Sequence, residues 1–162
     1  MSIDYLVASL PALVFGNSAP ITYERFEAAI APIKVDELLR KWREIETELK
    51  NELVELRAAK LSQSGKRVPD KAKYLRPSER CSIFLKSRLK DAYQIEEVAA
   101  RDEAIDRVFW EAAAEMTPPE SPLGKGALAT YAARLLILLK RSQISTEGGN
   151  AAFDRLTEKT RI

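Results

Sequence analysis

DELLRKWREIETELKNELVELRAAKL, residues 36–61, contains neither Pro nor Gly and repeats its apolar residues at three- and four-residue steps. Leu38, Trp42, Ile45, Leu49, Leu53 and Leu56 fall on one stripe of an α-helix, so the segment is predicted to be one continuous amphipathic helix. Asp36 stands at its start, where an N-cap or a first-turn acid is favoured by the helix dipole. At about 1.5 Å per residue such a helix extends about 40 Å, against a compact-domain diameter of about 26 Å. Part of it is therefore expected to protrude or to pack against a partner.

Outward from this helix the chain reads as helical in both directions. Ile3 to Leu10 is apolar and too short for its periodicity to separate strand from helix. After the turn at Gly16–Pro20, Thr22 can cap a short helix to Ile30, which Pro32 stops. Residues 62–76 form a loop marked by Gly65 and Pro69. Pro77 suits the first position of a third helix, which carries Ile83, Phe84, Leu85, Leu89 and Tyr93. A fourth covers about Glu96 to Met116, with Val98, Ile105, Val108, Phe109 and Ala112 inward. Beyond the stiff link Thr117–Pro122, Ser121 and Pro122 open a fifth helix, loosened by Gly124 and Gly126, that runs to about Gln143. Thr146 caps a last short helix carrying Ala152, Phe153 and Leu156. The expected fold is all-α: one domain over 1–162, a bundle of about five to six helices with one long helix at 36–61 and a basic loop at 62–76.

Composition supports this reading and removes several functions. The chain is 46% hydrophobic and 31% charged, with 6 Gly in 162 residues, a mixture suited to packed helices. Histidine is absent, which takes away the commonest general base and the commonest metal ligand. The single Cys81 excludes an internal disulfide. Tyr5–Phe15 has the apolarity of a secretory core, but Asp4 and not a basic residue precedes it, and Pro11 interrupts it. No exported leader is expected. The apolar run Leu135–Leu139 is far shorter than the roughly 20 residues of a bilayer span.

Charge falls in blocks. Between residues 57 and 90 stand Arg57, Lys60, Lys66, Arg67, Lys71, Lys73, Arg76, Arg80, Lys86, Arg88 and Lys90, opposed by Asp70 and Glu79. The next stretch reverses sign, with Asp91, Glu96, Glu97, Asp102, Glu103, Asp106, Glu111, Glu115 and Glu120. One reading is mutual neutralisation of the two blocks across neighbouring helices. Another is a docking surface for an acidic protein or for nucleic acid. Tyr74 alone interleaves the basic run, which is thin support for base stacking. The candidate partner-binding residues are Arg57, Lys60, Lys66, Arg67, Lys71, Lys73, Arg76 and Arg80.

Other chemistry is weakly signalled. Glu44/Glu48 and Asp102/Asp106 are four apart on helix faces, but no Glu-x-x-His element accompanies them, so they read as solvated acids and not as a metal site. Cys81 lies beside Arg80, yet no His can act as its base, so it reads as a small buried apolar residue. Lys125 between two glycines matches no phosphate-loop spacing. No catalytic residue, cofactor, metal or small-molecule substrate is expected.

Three stretches carry a resemblance. The opening Tyr5-Leu-Val-Ala-Ser-Leu-Pro11, with Pro20-Ile21 and Tyr23-x-x-Phe26, resembles a short bacterial family encoded beside V-type ATP synthase genes. That family is similar to the C-type cap protein of V/A-type ATPases, an all-helical component between rotor shaft and membrane ring. The helix Asn51-Glu-Leu-Val-Glu-Leu-Arg57-Ala-Ala-Lys60 is similar to one found in both groups. Tyr131-x-x-x-Leu135-x-Ile-Leu138, with Glu147-Gly148 and Phe153, resembles the family's C-terminal helix pair. The resemblance implies a non-catalytic subunit or accessory of a bacterial V-type ATPase, with a coupling or assembly role. Its partners would be other ATPase subunits, and its location cytoplasmic, at most peripheral at the inner face of the membrane through those partners. The alternative is a free-standing helical adaptor or nucleic-acid-binding protein using segment 57–90.

Overall fold

The computed structural model describes residues 1–78 and 82–160, with side chains as far as residue 144. Its elements are helices α1 (Ile3–Ser9), α2 (Tyr23–Ile30), α3 (Val35–Gln63), α4 (Ile83–Tyr93), α5 (Val98–Ala112) and α6 (Lys125–Thr160). Single 3-10 turns lie at Lys71–Lys73 and Ala113–Met116, and no strand occurs among the described residues. Among those residues no helix is long and apolar enough to cross a membrane. The expected all-α bundle with its long helix at α3 is thus the fold observed, and α6 is a second long helix.

The stripe read on α3 is the centre of the core. Leu38, Trp42, Ile45 and Leu49 are buried, while Leu53 and Leu56 are half-buried. Opposite them α6 buries Leu128, Ala132, Leu135 and Leu138, and the two long helices make the most extensive pairing in the molecule. Trp42 meets Phe109 of α5 edge-on, ring centres 6.4 Å apart. Thr22 caps α2 as expected, accepting from the Arg25 N–H at 3.2 Å. Asp36 sits in the first turn of α3, whose N-cap position is Lys34.

The first apolar segment resolves to helix α1 because Ile3, Leu6, Val7 and Leu10 share one face, with Leu6 buried. The chain then runs along α6, from Tyr131 opposite Pro11 to Arg141 opposite Phe15. Tyr131 of α6 donates its hydroxyl to the Pro11 carbonyl at 2.7 Å and stacks on Phe26 of α2. Phe15 lies edge-on to Trp110, and the Arg107 and Arg141 guanidinium carbons lie 4.4 and 4.8 Å from its ring centre. Cation–π attraction therefore holds this segment on α5 and α6.

Several boundaries differ from the sequence reading. Helix α4 starts at Ile83 and not at Pro77, because Ser82 supplies the cap by accepting from the Leu85 N–H. With that start Ile83 and Phe84 are exposed. Val98 is likewise exposed at the first turn of α5, whereas Trp110, absent from the expected core, is buried. The fourth helix tightens into a 3-10 turn for its last residues. Helix α6 opens at Lys125, after turns at 118–124, and continues without interruption to Thr160. Thr146 therefore lies within this helix and does not begin another. No proline follows Pro122, and Gly148 and Gly149 each weaken a helix by roughly 1 kcal/mol without breaking it. Gly126 does not loosen the helix. A side chain there would overlap the Met116 carbonyl oxygen, so its absence permits close docking of the first turn of α6. Cys81 and Arg80 lie outside the described residues.

The α5–α6 corner is closed by polar groups. Thr130, buried on α6, lies 2.8 Å from the Ala113 carbonyl and shares a 2.7 Å hydroxyl–hydroxyl hydrogen bond with Thr117, whose hydroxyl also reaches the Gly126 carbonyl at 3.3 Å. Arg134 donates Nε–H to the Trp110 carbonyl at 3.0 Å and lies over the Trp110 ring. Burial lowers the pKa of its guanidinium, and the Glu111 charge opposes that shift.

Trp42→Ala should cost about 3–5 kcal/mol in urea unfolding, the usual loss for a truncated core aromatic. An unchanged midpoint with lost partner binding would instead assign that face to an interface. Burial also pushes the Tyr131 phenol up to about 12 from an ordinary 10.0. Between those pH values the unfolded chain has lost this proton and the folded chain keeps it, so stability falls as pH rises through the window. Tyr131→Phe should flatten that decline, read as the difference between the two proteins' unfolding midpoints.

Candidate functional site

The basic segment begins where α3 ends. Gly65 adopts a left-handed φ of 69°. The Lys66 N–H bonds the Leu61 carbonyl at 3.0 Å, and the Gly65 N–H bonds the Ser62 carbonyl at 3.1 Å. This pair is a Schellman motif, which satisfies the last carbonyls and reverses the chain. Residues 66–78 then return along α3 as a strap. Asp70 caps its 3-10 turn by accepting from the Ala72 N–H at 3.1 Å.

The far end of the strap is tied to α3 by one side chain. Asn51 donates Nδ2–H to the Arg76 carbonyl at 2.7 Å and accepts the Arg76 N–H on Oδ1 at 3.0 Å. Its amide thus reproduces a paired-strand contact with the backbone. Between the two ends Lys71 pairs with Glu55 at 2.9 Å. One turn before Asn51, Glu48 accepts the Ser82 N–H, and Glu52 faces Lys86 at 3.9 Å. Asn51 and Glu55 lie on a face of α3 turned away from the Leu38–Leu49 stripe, with Glu48 and Glu52 along its flank. Glu48 corrects one expectation. It is 2% exposed and holds a backbone donor, so it is not a solvated acid.

This attachment decides how much of the long helix stands free. The second half of α3 is flanked by α4 and covered behind by the strap, with Pro69 and Tyr74 beside Val54, Ala58 and Leu61. It does not project bare.

The basic residues divide by what they meet. Lys71, Lys86 and Arg88 are paired, with Glu55, Glu52 and Glu111 respectively. Of these three pairs, the last joins the basic block to the acidic one; the other two lysines are neutralised by α3 itself. Other acids are engaged elsewhere: Glu97 caps α5, Glu103 meets Arg107 and Asp106 meets Arg141 at 2.7 Å. Lys60 lies over the Tyr93 ring, 5.5 Å from its centre. Arg76 donates to the carbonyls of Lys73 and Leu75. Among the described residues Arg57, Lys66, Arg67 and Lys73 are exposed and form no ion pair. Those four are the candidate cations open to a partner, three of them on the strap. Arg80 lies outside the described residues.

The polar residues that build the site, Asn51, Glu48 and Glu55, were not candidates from sequence. Their spacing one and two turns apart, on a face with no leucine, was the available signal. Among the described residues no group of three His, Cys, Asp or Glu side chains is placed to hold a metal. Asp106 instead serves Arg141, and Lys125 sits 3.9 Å from Glu37. No family model, curated protein or solved structure matches the chain.

Asn51→Leu removes both bonds to Arg76 while keeping helix propensity and volume. Each such bond contributes on the order of 1 kcal/mol. The strap should therefore be cut by trypsin at Lys66, Arg67 and Lys73 roughly tenfold faster or more, with the thermal midpoint of the bundle lowered only slightly. Unchanged cleavage would mean that Asn51 does not hold the strap.

Proposed function

We propose that this chain is a non-catalytic helical subunit or accessory protein of a bacterial V-type ATPase, docking an acidic surface of a neighbouring ATPase protein through its basic strap. The observation that carries the reading is the fixed presentation of Lys66, Arg67 and Lys73. They are exposed, carry no ion pair among the described residues, and sit on a strap tied at both ends. Cations already held in place lose less side-chain and loop entropy on binding than cations on a free loop. They also steer an acidic partner toward contact.

The ATPase assignment rests on the resemblance at Tyr5–Pro11, Asn51–Lys60 and Tyr131–Leu138. Two residues of those stretches have specific duties here: Asn51 ties down the strap and Tyr131 ties down Pro11. In this reading α3 is the strut of the coupling contact. It extends about 43 Å over its 29 residues, with the core at one end and the strap at the other. The protein works in the cytoplasm, at the inner face of the membrane through its partners.

Reversal of Lys66, Arg67 and Lys73 to Glu tests this. Lys71 is left intact because its pair with Glu55 helps fasten the strap. Exposed substitutions of this kind usually change stability by less than about 0.5 kcal/mol, so folding should persist. The wild-type chain should retain ATPase subunits from nuclease-treated extract, and the triple variant should lose them. Raised salt should weaken the contact, since exposed charges are screened beyond about 8 Å. Retention by the triple variant would overturn the role of the strap. Loss of binding on nuclease treatment, with log affinity falling steeply against log salt, would favour a nucleic-acid partner.

A further inference from the structure

A cavity of about 220 Å³ lies between the strap and α3. Val54, Ala58 and Leu61 of the helix form its floor, Pro69 and Tyr74 of the strap form one wall, and Arg57 and Lys71 stand at its rim. It lies on the side of α3 away from the Leu38–Leu49 stripe and owes its existence to the chain reversal at Gly65 and the tie at Asn51. Tyr74 is 57% exposed, so the wall is also a surface.

Size and charge together narrow what fits. Sites for free small molecules usually enclose roughly 300–1,000 Å³, more than is available here. One aliphatic or aromatic side chain is of the right scale, and interface anchors are buried side chains of this kind set in pockets with a polar rim. The charge around the opening is predominantly positive, with Asp70 of the strap engaged as the cap of its own 3-10 turn. Arg57, Lys66, Arg67 and Lys73 are exposed without an ion pair among the described residues, while Glu55, the helix acid beside the strap, is already held by Lys71. The larger groove between α4 and α5, about 470 Å³, differs in both respects. Its walls carry both signs, and its Arg88 and Arg107 are committed to Glu111 and Glu103.

We infer that this cavity receives a single apolar side chain from an acidic segment of the partner, with Asp or Glu on either side of the anchor meeting the strap cations. The inference rests on the docking reading above and names what that docking recognises. The strap supplies attraction at a distance through its lysines and arginine; the cavity supplies selection, because an acidic segment without an apolar residue in register leaves it empty.

Two probes separate these contributions: acetyl-Asp-Glu-Asp-Leu-Asp-Glu-Asp-amide and the same peptide with Ser in place of Leu. Binding is measured at low salt by the methyl resonances of Val54, Ala58 and Leu61 in the full chain. The leucine peptide should bind about tenfold tighter or more, the scale of a hot-spot anchor, and should shift those methyl signals. In Tyr74→Ala, which removes a wall from an exposed position and leaves the Asn51 tie in place, the preference for leucine should shrink to about threefold or less. The triple charge reversal should weaken both peptides alike. Equal binding of the two peptides would overturn the cavity's role while leaving the charged docking surface standing. Failure of both to bind would remove an acidic protein partner altogether. Tighter binding of single-stranded oligothymidylate than of either peptide would give the surface to nucleic acid instead.

Discussion

The double contact between the Asn51 amide and the Arg76 backbone converts a long amphipathic helix into a two-sided scaffold. Without it, α3 has one apolar face to bury and a basic loop hanging from its end. With it, the loop returns along the back of the helix, and cations spread over the sequence are gathered on one surface. The apolar side of the same helix contributes more of the stability. Fully buried Leu and Ile side chains contribute roughly 1.5–3 kcal/mol each, and Ile45 and Leu49 on α3 face Leu128 and Leu135 on α6, all at 0% exposure. The two faces share one rigid element, so whatever orients α3 in the core also aims the strap.

Several of the charges around the strap and Phe15 are structural. Glu48, Glu52 and Glu55 hold a backbone amide and two lysines of the returning segment. Asp106 and Glu103 hold the arginines that embrace Phe15. The exposed pairs among them, such as Lys71–Glu55 and Arg107–Glu103, contribute little to stability, at a median of about 0–1 kcal/mol. They act mainly by specifying which segment lies where. Against that background Lys66, Arg67 and Lys73 differ, because the same surroundings that neutralise Lys71 leave them uncompensated among the described residues.

Much of the fold was legible in sequence because helical periodicity is a local signal. The α3 stripe and the Thr22 cap need information from within a few residues, and both are observed. Where the sequence left the outcome open or was overruled, the deciding contact was distant. Ile3–Ser9, open between strand and helix, is helix because Leu6 found a place in the bundle. Pro77 did not start α4 because Asn51, more than twenty residues earlier, engages the Arg76 backbone just before it, and Ser82 supplies the cap instead. Trp110 went inward because Phe15 and Arg134 cover it from two other segments. Thr146 suggested a new helix start that the uninterrupted α6 does not make. The candidate site was legible as a cluster of charge but not as a surface, since the residues that make it one are acids and an amide on another element.

The Arg76 amide offers the most direct measurement of the central claim, that the strap is fastened to the back of α3. Its N–H is bonded to a side chain on another element, not to a neighbour in its own turn, so hydrogen exchange at this position reports the attachment alone. Fastening as described requires Arg76 to exchange at least about tenfold slower than an unstructured amide, while the Arg67 amide, which makes no backbone hydrogen bond among the described residues, exchanges freely. Exchange of Arg76 at the unprotected rate, in a chain whose α3 and α6 amides remain protected, would show a loose basic loop and contradict the claim.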